Sequence, residues 1–170
     1  MNLKDYILNV ENFPIDGVGF KDVTPLLNDA KAFEFAINQM AEFVIKTKAD
    51  VIVAPEARGF LFASAVAYAT KKRFVLIRKP GKLPRQVISV KYDLEYGTNI
   101  LELHKNDIKP SDKVVIVDDV LATGGTTEAI IELVEKEQGI IAGISFLIDL
   151  ESLHQKELFK QYPLQKILKY

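Results

Sequence analysis

Short apolar runs alternate with helical patterns through the middle of the chain. The runs ADVIVAP (49–55) and KVVIVDDV (113–120) are made mostly of branched apolar residues, which predicts strands buried on both faces. Each is followed by a helical pattern, GFLFASAVAYAT (59–70) and TTEAIIELVEKEQ (126–138). Strands that alternate with helices in this way predict an α/β fold with a central, mostly parallel sheet flanked by helices.

Weaker patterns predict the remaining elements. They are a short helix over Leu3–Val10, an amphipathic helix from Ala30 to Lys48, strands at RFVLIRK (73–79) and IIAGISFLIDL (140–150), and an extended pair of edge strands within YDLEYGTNILELHK (92–105).

Two segments interrupt this alternation. Residues 13–27 contain prolines and glycines without a regular period. Residues 80–91, PGKLPRQVISVK, combine two prolines and a glycine with basic residues. The second segment therefore predicts a mobile loop or an irregular hairpin.

Composition narrows the class of protein. A length of 170 residues suits a single domain, residues 1–170, with one core. The 22 Lys and Arg residues balance 23 Asp and Glu residues, so no basic face for nucleic acid or a membrane surface is indicated. The sequence has no Cys, which excludes disulfides and thiolate chemistry and suits a reducing cytoplasm. With no signal peptide and no membrane-length apolar run, we expect a soluble cytoplasmic protein.

The stretch VVIVDDVLATGGTT (114–127) carries the strongest indication of chemistry. Asp118 and Asp119 follow a buried strand, and ligands of open α/β sheets bind beyond the carboxyl ends of the strands. The loop Ala122–Thr126 then opens a helix, whose N-terminal N–H groups and dipole bind phosphate. Carboxylates repel phosphate but accept hydrogen bonds from sugar hydroxyls. The combination therefore predicts a phosphorylated ribose as the ligand.

A purely structural interpretation exists for the same residues. An isolated aspartate caps helices, and a pair such as Gly124-Gly125 forms tight turns. Two adjacent acids after a buried strand favour the ligand site instead. Other phosphate motifs are absent from the sequence: no Gly-Lys-Ser/Thr ends a P-loop pattern, and Gly17-Val18-Gly19 lacks the third glycine of a dinucleotide fingerprint.

The 114–127 stretch resembles the phosphoribosyl-diphosphate signature of the type I phosphoribosyltransferases. From near residue 5 to near residue 160 the chain is similar to the adenine phosphoribosyltransferases of that family. The likeness lies in the signature and in the blocks FPIDGVGFKDVTPLL (13–27), APEARGFLFASAVA (54–67) and VLIRKPGKLPRQVISVKYDLEYG (75–97). It implies a type I phosphoribosyltransferase-like fold with an N-terminal base-binding hood at about residues 5–29 and a flexible catalytic loop at about residues 80–91.

The resemblance assigns the phosphate and diphosphate contacts. It places the 5-phosphate on Ala122, Thr123, Gly124, Gly125 and Thr126, and the ribose hydroxyls on Asp118 and Asp119. It makes Glu56-Ala57-Arg58 the diphosphate loop, often with a cis peptide, where Ser is commoner than Ala57. Arg78, Lys79 and Lys82, with Arg85 nearby, become the cations of a lid, where Pro80 replaces a commoner basic residue. Taken alone, these cations suit an ordinary solvated surface.

The remaining roles concern the base and the reacting centre. By resemblance Glu95 accepts or relays the proton lost by the purine, and Tyr96 lies beside the sugar. Phe20 stacks on adenine, and Lys21 stands where the family often has Arg. Without the resemblance, Glu95 suits a solvent-facing position and Phe20 a core aromatic.

The implied activity is purine salvage, in which the 5-phosphoribosyl group of 5-phospho-α-D-ribose 1-diphosphate passes to adenine and gives AMP and diphosphate. Mg²⁺ is the implied cofactor, held mainly by substrate and water with no direct protein ligand. The implied assembly is a homodimer, without nucleic-acid or membrane partners. Two alternatives stay open: a transferase for 6-oxopurines or orotate, and a non-catalytic regulator that senses phosphoribosyl diphosphate. His104 and His154 receive no role.

Overall fold

Helices and strands alternate through most of the chain, as the hydrophobic pattern predicts. The structure is a computed structural model that describes residues 1–94 and 97–170. Its elements in chain order are β1 (Leu8–Val10), β2 (Phe20–Asp22), α1 (Thr24–Leu27), α2 (Ala30–Lys46), β3 (Val51–Pro55), α3 (Arg58–Thr70), β4 (Arg73–Ile77), β5 (Val87–Leu94), β6 (Gly97–His104), β7 (Lys113–Leu121), α4 (Gly125–Lys136), β8 (Ile140–Asp149) and β9 (Leu164–Lys169), with 3₁₀ turns at Leu3–Tyr6 and Glu151–Leu153.

The strongest apolar runs form one parallel sheet. Within the described residues, five strands lie in the order β4-β3-β7-β8-β9, and every neighbouring pair is parallel. The predicted α/β class with a parallel central sheet flanked by helices is therefore confirmed. From β3 the chain first adds β4 on one side and later β7 on the other side. The order of the strands thus reverses between β3 and β7, which is where ligands of such sheets bind.

Both faces of the central strands are buried. Successive side chains of a strand point to opposite faces of the sheet. Val53 and Ile116 lie in one apolar cluster with Ile130 of α4, whereas Ile52 and Val115, which are also fully buried, point to the face on which α3 packs. This burial explains why these strands read as continuous apolar runs rather than as alternating ones.

The segment after β4 forms a separate hairpin. Strands β5 and β6 pair antiparallel as their own two-stranded sheet, from Val87 opposite His104 to Leu94 opposite Gly97. Buried side chains of the hairpin join the apolar cluster around α4. The predicted pair of extended strands is thus present. It forms its own sheet, and backbone hydrogen bonds in both directions between Glu102 of β6 and Arg78, the residue after β4, attach it to the edge of the central sheet. The irregular segment is also shorter than predicted, since β5 already begins at Val87.

Residues Met1–Gln39 form a compact unit of their own, and Met40–Tyr170 form a second unit. In the first unit β1 pairs antiparallel with β2, and Val10 lies opposite Phe20. The predicted helix over Leu3–Val10 is therefore wrong beyond Tyr6. A 3₁₀ turn buries Leu3, and the chain then becomes extended because the backbone of β1 finds its hydrogen bonds on β2.

The last strand, β9, and the short elements β2 and α1 have no counterpart among the predicted elements. Strand β9 reads LQKILK, and four of its six residues are only partly buried. None of the helices in the described part of the chain is both long enough and apolar enough to span a membrane.

Candidate active site

Asp118 and Asp119 lie where the strand order reverses. Because β3 and β7 run parallel with Val53 opposite Ile116, Pro55 at the end of β3 is level with Asp118. Both aspartates are buried, with 8% and 5% of their surface exposed. The sequence therefore places two adjacent carboxylates inside the protein at the edge of the sheet where a ligand would bind.

Arg58 approaches the aspartates from the neighbouring strand. It is the first residue of α3, which follows β3 after two residues. Its Nε lies 2.8 Å from Oδ2 of Asp119, and its side chain is 41% exposed whereas that of Asp119 is 7% exposed. The guanidinium thus balances one buried carboxylate and also reaches the surface. It can meet an anion there while it stays paired with Asp119.

Asp118 has the least favourable surroundings for a charge. Burial, and then the neighbouring charge of Asp119, raise the pKa of Asp118 well above its ordinary value. The backbone N–H of Asp119 donates to Oδ1 of Asp118 at 2.8 Å, and this bond and Arg58 oppose the increase without cancelling it. An ionised Asp118 would be stabilised further by hydroxyl donors of a bound ligand.

Gly59 lets the start of α3 lie close to the ends of β3 and β7. A Cβ at this position would lie 2.7 Å from Oδ1 of Asp118 and 3.2 Å from Cδ of Pro55. Any side chain at this position would displace the carboxylate of Asp118.

A small cavity opens beside Asp118 at the start of α4. Its volume is about 80 Å³, and it is lined by Asp118, Val120, Leu121, Ala122, Thr123, Gly124, Thr126 and Thr127. Gly124 precedes α4 with a φ of 95°, a conformation that favours glycine. The residues at the start of the helix, three threonines among them, line this space, and none of the lining residues is Lys or Arg. Such a cradle holds a phosphate by hydrogen bonds and by the helix dipole.

Residues outside the 114–127 signature contact this loop. Oη of Tyr92 in β5 lies 3.3 Å from Oγ1 of Thr126. A Cβ on Gly124 would lie 2.6 Å from Cδ2 of Leu158 and 3.4 Å from Cζ of Phe159. Sequence reasoning did not identify these supporting residues. Tyr92 lies within a block that resembles the family, but Leu158 and Phe159 lie in a segment without a recognisable motif.

The candidate diphosphate loop is tied to the base of the predicted lid. The peptide between Glu56 and Ala57 is cis, as the resemblance suggests. Burial favours protonation of Glu56, but the N–H of Lys79, 2.8 Å away, and the Arg78 guanidinium, 3.2 Å away, outweigh it and hold the Glu56 pKa below its ordinary value. Arg78 is thus paired with protein, whereas the side chains of Lys79 and Lys82 are exposed.

Arg85 also has protein partners. Its guanidinium binds both carboxylate oxygens of Asp107, at 3.0 and 2.8 Å, and its Nη2 lies 2.9 Å from Nδ1 of His104. The predicted cluster of lid cations is therefore divided in this structure into two paired arginines and two exposed lysines.

The remaining predicted residues are Phe20, Lys21, Glu95 and Tyr96. Phe20 and Lys21 belong to the N-terminal unit, where the Phe20 ring packs edge-on against Phe13 at 5.1 Å and Nζ of Lys21 lies 3.0 Å from Oδ1 of Asn9. The predicted catalytic residues Glu95 and Tyr96 lie outside the described residues.

The donor set suits a loosely held Mg²⁺. Carboxylate oxygens of Asp118 and Asp119 are ligands of the type that Mg²⁺ accepts. In the part of the chain that the structure describes, however, no group of three or more His, Cys, Asp or Glu side chains converges on one point. The two carboxylates therefore fit Mg²⁺ by their chemistry.

Comparison with known proteins identifies the class to which this site belongs. The family model described as the phosphoribosyl transferase domain matches residues 26–168. The chain therefore belongs to the phosphoribosyltransferase family.

The individual relatives narrow the class. An adenine phosphoribosyltransferase of Mesoplasma florum is 66% identical over the full length of both chains. The crystal structure of the adenine phosphoribosyltransferase from Thermoanaerobacter pseudethanolicus has a TM-score of 0.94 at 46% identity, covering 99% of this chain and 98% of that one. The Saccharomyces cerevisiae enzyme, complexed with an imino-altritol bisphosphate and adenine, has a TM-score of 0.89 at 34% identity, covering 97% and 96%. The particular members that this chain resembles are thus the adenine phosphoribosyltransferases.

The pKa of Asp118 leads to a prediction about stability. Because this pKa is raised above its value of about 3.9 in the unfolded chain, the folded protein holds the proton more tightly. Stability is then lost as pH rises from the unfolded pKa to the folded one. We expect Asp118→Asn to remove this loss and to unfold at a higher temperature than the wild type at neutral pH. Thermal unfolding between about pH 4 and about pH 8 measures the difference.

Asp119→Asn is the matched control, because it breaks the ion pair with Arg58. We expect this variant to gain no stability. Parallel pH profiles for Asp118→Asn and the wild type would contradict the prediction.

Proposed function

We propose that this chain transfers the 5-phosphoribosyl group of 5-phospho-α-D-ribose 1-diphosphate to adenine, giving AMP and diphosphate in purine salvage. The observation that carries the proposal is the buried pair Asp118 and Asp119, of which Asp118 lines the cavity at the start of α4. A phosphorylated ribose needs such a combination of acceptors and anion cradle. The yeast relative, complexed with a bisphosphorylated imino sugar and adenine, supports the same ligand classes.

The sugar phosphate is held by the strand end and by the loop that follows it. Backbone N–H groups and hydroxyls of residues 122–127 bind the 5-phosphate. Asp118 and Asp119 accept hydrogen bonds from the ribose hydroxyls. Displacement at an anomeric carbon develops positive charge on the ring, as in glycoside hydrolysis. Two carboxylates held beside the ring in a buried site stabilise that charge.

The leaving group is held by cations. Arg58 lies at the surface end of the pair with Asp119 and reaches the diphosphate, together with Arg78, Lys79 and Lys82 of the lid. The bond from C1 to the diphosphate oxygen breaks, and its electrons leave with the diphosphate. A purine nitrogen forms the new bond to C1 and loses a proton, which Glu95 accepts, while Tyr96 lies beside the sugar. Closure of the lid excludes water from this centre.

Mg²⁺ belongs to this proposal as the ion that offsets the charge of the leaving diphosphate. Asp118 and Asp119 are the residues beside which it would be held, through the ribose hydroxyls and water. The base is held by Phe20, which stacks on adenine, and by backbone groups of the segment around Lys21 that match its polar edge. We also propose a cytoplasmic location, which the cysteine-free sequence suits.

A homodimer is part of the proposal and is supported by the outer face of α3. This helix is apolar around its whole circumference, which is typical of a helix covered on all sides. Tyr68 is nevertheless 77% exposed and Leu61 is 45% exposed, and Leu76 of the adjacent strand β4 is also exposed. A second copy of the chain would cover these side chains.

The choice of base tests the proposed reaction directly. Hypoxanthine and guanine present a carbonyl and an N–H where adenine presents an amine and a ring nitrogen. Each unpaired polar group in a buried site costs about 1–3 kcal/mol, so two mismatches separate the bases by several orders of magnitude. We expect AMP formation from adenine with Mg²⁺, and little or no turnover of hypoxanthine, guanine or orotate in competition assays.

Other outcomes of this assay would move the chain to a different function. Comparable turnover of an oxopurine or orotate would indicate the corresponding transferase, and binding of phosphoribosyl diphosphate without turnover of any base would indicate a regulator. Phe20→Ala is a useful companion, because it should weaken adenine binding through lost stacking without favouring the oxopurines.

Proteolysis tests the lid. If residues 80–86 close over bound ligand, trypsin should cut at Lys82 in the free protein, where this side chain is exposed, and more slowly with Mg²⁺ and the activated ribose present. Lys48, which is also exposed and lies in the turn before β3, is the internal control and should be cut at the same rate in both conditions. Equal protection at both lysines would point to global stabilisation rather than to closure.

Sedimentation tests the dimer. We expect the wild type to sediment as a dimer and the double variant Leu61→Lys, Tyr68→Lys to sediment as a monomer, because two charges would be buried without partners. Ile140→Lys, at another exposed apolar position, should leave the dimer intact. A monomeric wild type would refute this part of the proposal.

A further inference from the structure

A fully buried carboxylate lies at the end of β8, outside the site described above. Oδ1 of Asp149 is 2.6 Å from Nε2 of His154, and its Oδ2 is 2.9 Å from Nζ of Lys166 in β9. The side chain of Asp149 is 0% exposed and that of His154 is 2% exposed. The phosphoribosyl transfer described above uses none of these three groups.

His154 connects this carboxylate to the segment that follows it. Its Nδ1 lies 2.9 Å from the carbonyl oxygen of Gln155, and the N–H of Leu158 donates to the same oxygen at 3.0 Å. Both ring nitrogens thus lie within hydrogen-bond distance of oxygen atoms, one of Asp149 and one of Gln155. His154 therefore joins Asp149 to the turn that carries Leu158.

This turn packs against residues 122–126, the loop proposed to bind the 5-phosphate. Leu158 and Phe159 pack so closely on Gly124 that a Cβ there would lie 2.6 Å from Cδ2 of Leu158. Gly124 immediately precedes α4 and lines the cavity proposed to hold the phosphate. A continuous set of contacts thus runs from Asp149 through His154, Gln155 and Leu158 to the phosphate loop.

We propose that His154 is a positioning residue for the 5-phosphate loop, acting through Gln155 and Leu158 on Gly124. The inference rests on the proposed function, which supplies the phosphate. Neutralising Asp149 does not account for His154, because Lys166 already pairs with that carboxylate. The contribution specific to the histidine is the second hydrogen bond, which holds the turn against the loop.

Steady-state kinetics of His154→Ala test the proposal. A loop displaced by a fraction of an ångström binds the 5-phosphate less well, so we expect the KM for the activated ribose to rise about tenfold and the KM for adenine to stay unchanged. His154→Gln retains an amide N–H that can donate to Asp149 or to the carbonyl, so it should recover part of the loss. Lys169→Ala, which removes the exposed ion pair with Glu151 from the same region, should behave like the wild type.

Leu158→Ala changes the other end of the connection and is the second variant if His154→Ala folds poorly. If the two residues act through one turn, their effects on this KM should not add, so the double variant should resemble the more affected single one. Additive effects, an unchanged KM, or equal increases in both KM values would overturn the proposal.

A binding measurement separates this proposal from the proposed function. We expect calorimetry to show that ribose 5-phosphate binds more weakly to His154→Ala than to the wild type, whereas inorganic diphosphate binds both equally. If the wild type produced no AMP, the proposed reaction would fail while this comparison still tested the role of His154. Equal binding of ribose 5-phosphate to both proteins, or no binding to the wild type, would refute that role.

Discussion

The site depends on two adjacent carboxylates buried at the end of one strand. Removing charges from water is costly unless partners compensate. Arg58 compensates Asp119 by an ion pair, and Asp118 has one backbone N–H and a raised pKa. Among the described residues, Oδ2 of Asp119 lies in the ion pair but has no hydrogen-bond partner, so the pair of aspartates keeps a buried acceptor for hydroxyl donors of a ligand. Such a group is expected at a functional site and would be unfavourable in an ordinary core.

Neighbouring elements adapt to this requirement. The tight junction between β3 and α3 brings Arg58 to the aspartates, and Gly59 leaves room for the carboxylate of Asp118. After the aspartates, a short loop leads to the start of α4, where the helix N-terminus suits a phosphate. Leu158 packs against Gly124 of this loop. The positions of the acceptors and of the anion cradle are therefore set by the same strand end, which is what a ligand with both groups demands.

The sequence was most informative where one physical signal dominated. Buried parallel strands such as β7 produce apolar runs, so these strands were predicted correctly. The loop between β7 and α4 also lies where the sequence placed it, and its binding of phosphate stays a prediction. Strand β1 was predicted as helix, because its pairing with a segment ten residues later leaves no local pattern. His154 and Leu158 act through packing and hydrogen bonds between distant elements, so no motif reveals them. The roles of Glu95 and Tyr96 rest on the family resemblance alone.

The cations predicted to hold the leaving group are partly engaged by the protein itself. Arg58 pairs with Asp119, and Arg78 pairs with Glu56, whose pKa is lowered by this partner and by the N–H of Lys79. The pair of Arg78 with Glu56 is partly exposed, and exposed pairs are worth only about 0–1 kcal/mol, so a diphosphate can share or replace Glu56 at little cost. Asp119 is buried, so Arg58 has to meet an anion while it stays paired with this carboxylate. The pairs therefore pre-position the guanidinium groups. Glu56 belongs to the diphosphate loop and binds Arg78 and Lys79 at the base of the lid. A change of partner at Arg78 would therefore alter the contacts of both segments.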